Sequence, residues 1–150
     1  METTIAHEVA HQWFYNLVGN DQLDEPWLDE ALAQYATYLY YLDMYGETAA
    51  DDYKESWNGR FSRVDNDPIP IGLPVSAYEG AEYSAIVYGR GPLFVEALAA
   101  EMGQATFDTF LADYVVQNQW GIATTDSFRH LAEVHCACDL GDLFARWVYE

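Results

Sequence analysis

Two histidines and two glutamates near the start of the 150-residue chain have the spacing of a zinc site. His7 and His11 are four residues apart, so in a helix they lie on one face, one turn apart. Glu30 follows His11 after eighteen residues. Two neutral imidazoles and a carboxylate form a ligand set that suits Zn²⁺ and leaves a fourth position for water. The pattern therefore predicts one zinc ion held by His7, His11 and Glu30.

Glu8 directly follows the first predicted ligand, so it projects beside the metal and not at it. A general base that takes a proton from the attacking water must stand in that place. The five residues 7–11 alone also fit an exposed polar helix face. The segment 27–33 favours the zinc interpretation, because it supplies a carboxylate after a turn, at the start of a second helix that can bring Glu30 back over the first.

The elements that would position these residues are helices. We expect a first helix capped by Thr3 or Thr4 and ending at Gly19-Asn20. Its apolar residues recur at helical spacing, and they are Ile5, Ala6, Val9, Ala10, Trp13, Phe14 and Leu17. A second helix begins at Pro26 and ends near Tyr45, before Gly46. Its expected inward residues are Leu28, Leu32, Tyr35, Leu39 and Leu42.

The rest of the chain has further helical patterns and one loop. We predict a polar helix over 47–63 with Trp57 and Phe61 as core anchors, followed by a loop over 64–78. The segment 83–103 is expected to be helical in its second half, with a start or a kink at Pro92. Three helices follow: one over 104–118, one capped by Thr125 or Asp126 and reaching Cys136, and a last one from Asp139 or Gly141. No segment has a convincing strand pattern. The predicted fold class is mostly α, a multi-helix array forming one unit over residues 1–150. The loop 64–78 either lines the cleft of the site or is a plain connection.

The chain is strongly acidic, with six Lys and Arg against twenty-five Asp and Glu and a formal net charge of −19. This excludes binding to a nucleic-acid backbone, which needs a basic surface, and disfavours anionic membranes. A negative field suits a dication and a substrate with a positive amino group, although solubility is the simpler explanation. No apolar run has the roughly eighteen residues of a membrane span. No signal peptide is recognisable, and the cell location stays open.

The two cysteines, Cys136 and Cys138, are separated by one residue. A disulfide framework needs more cysteines at wider spacing, and His135 beside them makes no second metal cluster. We expect a turn or half-buried thiols. His130 and His135, five residues apart, are expected to be ordinary surface or packing residues.

The stretch HEVAHQWFYNLVGNDQLDEPWLDEALAQYATYLY resembles the active-site segment of the gluzincin aminopeptidases, of the aminopeptidase N type. The family pattern is HExxH, eighteen residues and Glu, within a Trp-Leu-Asn-Glu-Gly setting. The resemblance implies that His7, His11 and Glu30 are the zinc ligands and that Glu8 is the catalytic base.

Two residues of this segment depart from the family pattern. Asp29 replaces the usual Asn before the third ligand, and Ala31 replaces the Gly after it. Asp29 either orients a ligand or only favours a helix N-terminus.

A second segment, AEYSAIVYGRGPLFVEALAAEMG, resembles the part of the family that bears a catalytic tyrosine. The resemblance implies that Tyr88 donates to the oxyanion formed during hydrolysis, with Tyr83 as the alternative. Arg90 stands at the position of a family lysine and keeps its charge. Weaker similarity continues to the end of the chain.

The resemblance also implies a fold, the helical subdomain of a thermolysin-like zinc peptidase domain. In the family a β-sheet precedes the motif helix, and a Gly-x-Met-Glu-Asn segment reads the substrate amino terminus. These residues contain no counterpart of either. We therefore expect residues 1–150 to be one helical part of a larger catalytic domain, with the remainder of that domain as its partner.

The predicted function is a zinc metallopeptidase of the aminopeptidase type, acting on peptide or protein substrates. One alternative is a zinc-binding helical module that has no activity in isolation. The other is epoxide hydrolysis on the same zinc site, a reaction of one branch of the family. Glu8 argues against the inactive module, because a structural zinc site needs no base beside the metal. We expect the isolated chain to bind one zinc ion and to turn over aminopeptidase substrates poorly or not at all.

Overall fold

The computed structural model describes all 150 residues, and they form a mostly helical array, as predicted. The helices are α1 (Glu2–Ala10), α2 (Trp27–Tyr45), α3 (Glu47–Phe61), α4 (Glu82–Ala85), α5 (Gly91–Met102), α6 (Gln104–Asn118), α7 (Thr125–Cys136) and α8 (Gly141–Phe144). π-helical turns follow α4 and α8, at Ile86–Arg90 and Ala145–Tyr149. Short 3₁₀ turns lie at Ser62–Val64 and Val75–Ala77. No helix is both long and apolar enough to traverse a bilayer.

Helix α2 lies at the centre of the core, because its first half is buried on almost every side. Trp27 packs edge-on against Phe94 of α5 and Phe128 of α7, with ring centroids 5.4 and 5.5 Å apart. Such edge-to-face pairs add about 0.5–1.5 kcal/mol each beyond the burial of apolar area. The helix ends at Gly46, whose φ of 84° favours glycine. This buried helix therefore fixes the position of Glu30 in its first turn.

The predicted first helix is too long. Helix α1 ends at Ala10, and the chain turns sharply at Tyr15, which has a φ of 118°. The amide of Tyr15 then donates to the carbonyl of Val18 at 2.9 Å. Pairing of the following residues with a distant segment outweighs the helical periodicity of this stretch. Ile5, Val9 and Trp13 are exposed and border an open apolar groove.

The absence of strands was also predicted wrongly. Two short strands, β1 (Val18–Gly19) and β2 (Gly121–Ile122), pair in parallel, with Val18 opposite Gly121. Gly19 lies close to its partner strand, since an added Cβ would lie 3.2 Å from the carbonyl oxygen of Gly121. The pair anchors the connection between α1 and α2 to the C-terminal part of the chain.

Three smaller predictions need correction. The side chain of Thr124, and not that of Thr125 or Asp126, caps α7 and accepts from the amide of Ser127 at 3.2 Å. Cys136 and Cys138 are joined by a disulfide and are not free thiols. The segment from Glu82 is helical from its start, and not only in its second half.

Candidate metal centre

Three ligand-type atoms meet where α1 crosses the start of α2. Nε2 of His7 lies 3.1 Å from Oε2 of Glu30 and 3.2 Å from Nε2 of His11. Nε2 of His11 lies 3.4 Å from the same carboxylate oxygen. Tetrahedral ligands about 2.0–2.1 Å from a zinc ion are about 3.3–3.4 Å from one another. The three separations therefore match three corners of a zinc tetrahedron.

The hydrogen bonds of His11 suit a metal ligand. Its Nδ1 donates to the carbonyl of Phe14 at 2.9 Å, so Nε2 is the ring nitrogen that faces the cluster. The early end of α1 makes this contact, because it brings Phe14 back beneath the His11 ring. His7 has no such partner in the chain, since its buried Nδ1 makes no hydrogen bond.

The contact between His11 and Glu30 shifts the pKa values of both side chains toward their charged forms. The hydrogen bond with Glu30 raises the pKa of His11 to about 9, although burial acts in the opposite direction. Burial raises the pKa of Glu30, but hydrogen bonds from His11, His7 and Tyr88 outweigh it and lower the pKa to about 2. The carboxylate is therefore ionised at neutral pH, as a metal ligand must be.

No other histidine, cysteine or acidic residues come together in this way. His130 is exposed, and His135 pairs with Asp113 at 3.2 Å. The two behave as the predicted surface and packing residues.

Glu8 lines the same cleft, which has a volume of about 500 Å³. Its side chain is exposed and makes no hydrogen bond within the chain. The candidate base is therefore free to accept a proton from a water beside the three convergent atoms.

Tyr88 also lines the cleft, with its ring centroid 6.2 Å from that of His7. Burial, and then the neighbouring Glu30 carboxylate, raise the pKa of Tyr88, so that its hydroxyl stays protonated as a donor. The ring of Tyr83, the alternative, packs edge-on against Tyr88 with centroids 5.8 Å apart. Tyr83 borders a smaller pocket beside Asp29 and Glu30, so it is the more remote of the two from the main cleft.

Close backbone packing fixes the turn that carries Tyr88. Pro92 lacks an amide hydrogen and cannot donate to the Tyr88 carbonyl, and the amide of Gly91 bonds to Ile86 in a π-helical turn. A Cβ added to Gly91 would lie 2.9 Å from Cβ of Ala31, the neighbour of Glu30 in α2. Gly91, which follows the turn that carries Tyr88, therefore packs directly against Ala31, the residue after Glu30.

Arg90 has a structural role. It is 4% exposed, and its guanidinium donates to the carbonyls of Ile69, Arg146 and Trp147 at 2.6–3.0 Å. It also stacks over the Trp147 ring at 4.8 Å. The charge predicted at this position ties the tyrosine turn to the C-terminal segment and does not enter the cleft.

Asp29 fixes the turn between β1 and α2. Its carboxylate accepts from the amides of Asn20 at 3.0 Å and Gln22 at 2.7 Å. It makes no hydrogen bond to His7 or His11, so it orients neither ring directly. The loop 64–78 contributes nothing to the main cleft and only Val75 to the smaller pocket.

The sequence indicated Glu25 only as a charge at the end of a turn. Its carboxylate also accepts from the amide of Thr125 at 2.9 Å and so joins the turn before α2 to the start of α7. Three further residues at the cleft were not predicted. Gln34, Tyr53 and Arg60 line the cleft beyond Glu30. Only the position of Gln34, one turn after Glu30, gave a signal in the sequence.

A family model described as "Peptidase family M1 domain" matches residues 1–147. Among curated proteins, aminopeptidase M1-B from Oryza sativa subsp. japonica is 27% identical over 148 residues, which cover 96% of this chain. Human aminopeptidase N is 31% identical over 130 residues, or 75% of this chain. The matches span only 17% and 12% of those two proteins.

Solved structures are similar over the whole chain. The crystal structure of an M1 zinc metallopeptidase from Deinococcus radiodurans aligns with a TM-score of 0.79 at 24% identity, over 100% of this chain and 33% of that one. A two-domain M1 zinc metallopeptidase bound to L-tryptophan aligns with the same TM-score of 0.79 at 26% identity and equal coverage. The helical array thus corresponds to one third of those larger chains.

Proposed function

The chain belongs to peptidase family M1, and from that premise we propose that it carries the zinc-binding and catalytic residues of an aminopeptidase-type metallopeptidase. Its ancestry is that of a peptidase, since its relatives are named aminopeptidases and M1 zinc metallopeptidases. The observation that carries the proposal is the convergence of His7, His11 and Glu30 within 3.1–3.4 Å.

His7, His11 and Glu30 would hold the zinc ion. When bound, zinc lowers the pKa of its water and polarises the substrate carbonyl. Glu8 takes the proton from the attacking water and delivers it to the leaving amine. The Tyr88 hydroxyl donates to the carbonyl oxygen as negative charge develops there. All five residues line one cleft, so they could act together in the hydrolysis of a peptide bond.

The whole chain acts as one unit in this proposal. Residues 1–150 form one helical body that corresponds to the helical subdomain of the family's catalytic domain. Its partners are a peptide or protein substrate and the remainder of such a domain. The M1 comparisons do not favour the inactive zinc module or epoxide hydrolysis.

The Glu8→Gln variant tests the proposed base. It should keep one zinc ion per chain, because Glu8 is not a ligand, and lose about 10²–10⁴-fold of the chain's residual hydrolysis of a fluorogenic leucyl amide. Glu101→Gln is the matched control, since Glu101 is exposed and lies outside the cleft. A Glu8→Gln variant that hydrolyses at the rate of the Glu101→Gln variant would show that Glu8 is not the base.

A further inference from the structure

The cleft continues past the candidate metal centre along α2 and α3. Gln34 lies one turn after Glu30 on α2, about 6 Å further along the helix axis. Tyr53 and Arg60 of α3 line the same cleft. These three side chains form the polar end of the cleft, and the hydrolytic mechanism uses none of them.

Gln34 offers donors at this end. It is 4% exposed, and its Oε1 accepts the hydroxyl of Tyr53 at 2.5 Å. The amide is oriented with its oxygen toward Tyr53, and its nitrogen with two N–H groups makes no hydrogen bond within the chain. The buried amide therefore presents its unused donors to the cleft that Arg60 also lines.

Arg60 is a cation without a carboxylate partner in a chain of twenty-five acidic residues. Its only hydrogen bond is from Nη1 to Oγ of Ser56 at 3.3 Å, and no carboxylate lies within 4.0 Å. Lys54 and Arg129 each pair with two acidic side chains, whereas Arg63, Arg90 and Arg146, like Arg60, pair with none. Of these four arginines only Arg60 lines the cleft. A planar guanidinium with free N–H groups binds a carboxylate through two parallel hydrogen bonds.

The position of Arg60 is fixed by close packing. Gly89 lies against α3, and a Cβ added there would lie 2.9 Å from the amide nitrogen of Phe61 and 3.1 Å from Cβ of Arg60. The backbone and Cβ of Arg60 are therefore held against the turn that bears Tyr88. This packing sets where the arginine enters the cleft relative to the proposed catalytic residues.

We propose that Arg60 and Gln34 form a subsite that binds a carboxylate of the peptide substrate. The carboxylate belongs either to the C-terminus of a short peptide or to an acidic side chain. The subsite makes the chain selective for such peptides, because elsewhere its strongly negative charge repels them. The inference deepens the proposed function and rests on it, since it assumes that a peptide occupies the cleft.

The test measures the binding of three matched peptides by calorimetry to the zinc-loaded Glu8→Gln chain, in which the peptides stay intact. Leucyl-glutamine amide has no carboxylate, leucyl-glutamine has one at its C-terminus, and leucyl-glutamate amide has one in its side chain. At least one carboxylate peptide should bind roughly tenfold more tightly than the neutral amide. The preferred peptide identifies the source of the carboxylate.

Three further substitutions in the same background assign the effect. Arg60→Gln should abolish the preference, and Arg60→Lys should keep part of it, because lysine retains charge but not the forked geometry. Arg63→Gln makes the same charge change on an exposed residue outside the cleft and should keep all of it. Equal affinities for the three peptides, no binding of any, or a preference that survives in Arg60→Gln would overturn the inference.

Zinc content of the same samples separates the two proposals. If the chain holds no zinc but still prefers a carboxylate peptide through Arg60, the metal centre is contradicted and the subsite is supported. If the chain holds one zinc ion and binds the three peptides equally, the metal centre is supported and the subsite is contradicted.

Discussion

Gly89 holds α3 against the turn that carries Tyr88, and its replacement by alanine should destabilise the chain. The added Cβ would lie 2.9 Å from the amide nitrogen of Phe61, 3.0 Å from the carbonyl oxygen of Trp57 and 3.1 Å from Cβ of Arg60. None of these atoms is the mobile end of a flexible side chain, so the helix itself must shift.

The size of the effect follows from two opposing terms. Overpacking of this kind costs about 2–3 kcal/mol, the upper part of the usual range, because only backbone movement relieves it. Alanine regains up to about 1 kcal/mol through its higher helix propensity. The expected net loss is about 1–2 kcal/mol, which corresponds to a fall in Tm of about 2–8 °C for a chain of this length.

The matched control is Gly59→Ala in α3, where no atom lies within 4 Å of the added Cβ. There only the propensity term acts, so Tm should rise by about 1–4 °C. Thermal unfolding followed by circular dichroism at 222 nm compares the two variants with the parent chain. If Gly89→Ala were as stable as Gly59→Ala, the close contact between α3 and the tyrosine turn would be wrong.

Two further predictions concern the centre itself. Tyr88→Phe should keep zinc and lose about 10²–10³-fold in hydrolysis, whereas Tyr83→Phe should lose much less; the reverse order would make Tyr83 the donor. In the chelator-treated chain, the pKa of His11 is raised from 6.5 to about 9 and that of Glu30 is lowered from 4.5 to about 2. The stability from His11 is therefore complete below pH 6.5 and lost as the pH rises through 9, while that from Glu30 is present above pH 4.5 and lost as the pH falls through 2. Thermal midpoints of the metal-free chain should fall between pH 6.5 and 9, and the His11→Gln variant should lack this decline; an identical decline in the variant would contradict the assignment.

The helical period was sufficient to predict that His7 and His11 share a face, whereas Glu30 was placed with them through the family resemblance. His7 and His11 share a face of α1 because four residues make about one turn, and Pro26 and Gly46 mark the bounds of α2 through local backbone chemistry. The convergence with Glu30 is observed, whereas its role as a zinc ligand stays a prediction.

Long-range contacts were not predictable from the same signals. Val18 pairs with Gly121 across about a hundred residues, and this pairing ends α1 earlier than its apolar periodicity indicated. The hydrogen bond from the Thr125 amide to the Glu25 carboxylate was equally unpredictable, since nothing in the sequence around either residue indicates the other. Periodicity reports which face of an element is apolar but not which distant segment meets it.

Arg60 shows the same limit at the site. In the sequence it is one charge in a polar helix, thirty residues after Glu30. Only the packing of α3 against α2 and the tyrosine turn brings it into the cleft. The role of Asp29 was not predictable either, because its carboxylate accepts hydrogen bonds from Asn20 and Gln22 and not from a histidine ring.

The most direct test of the account is the zinc content of the purified chain, measured by elemental analysis together with His7→Ala, Glu30→Ala and a His130→Ala control. The account predicts one zinc ion per chain, retained in the control and lost in the other two variants, because each removes one corner of the three-ligand set. No zinc in the parent chain after metal addition, or full zinc content in both ligand variants, would contradict it.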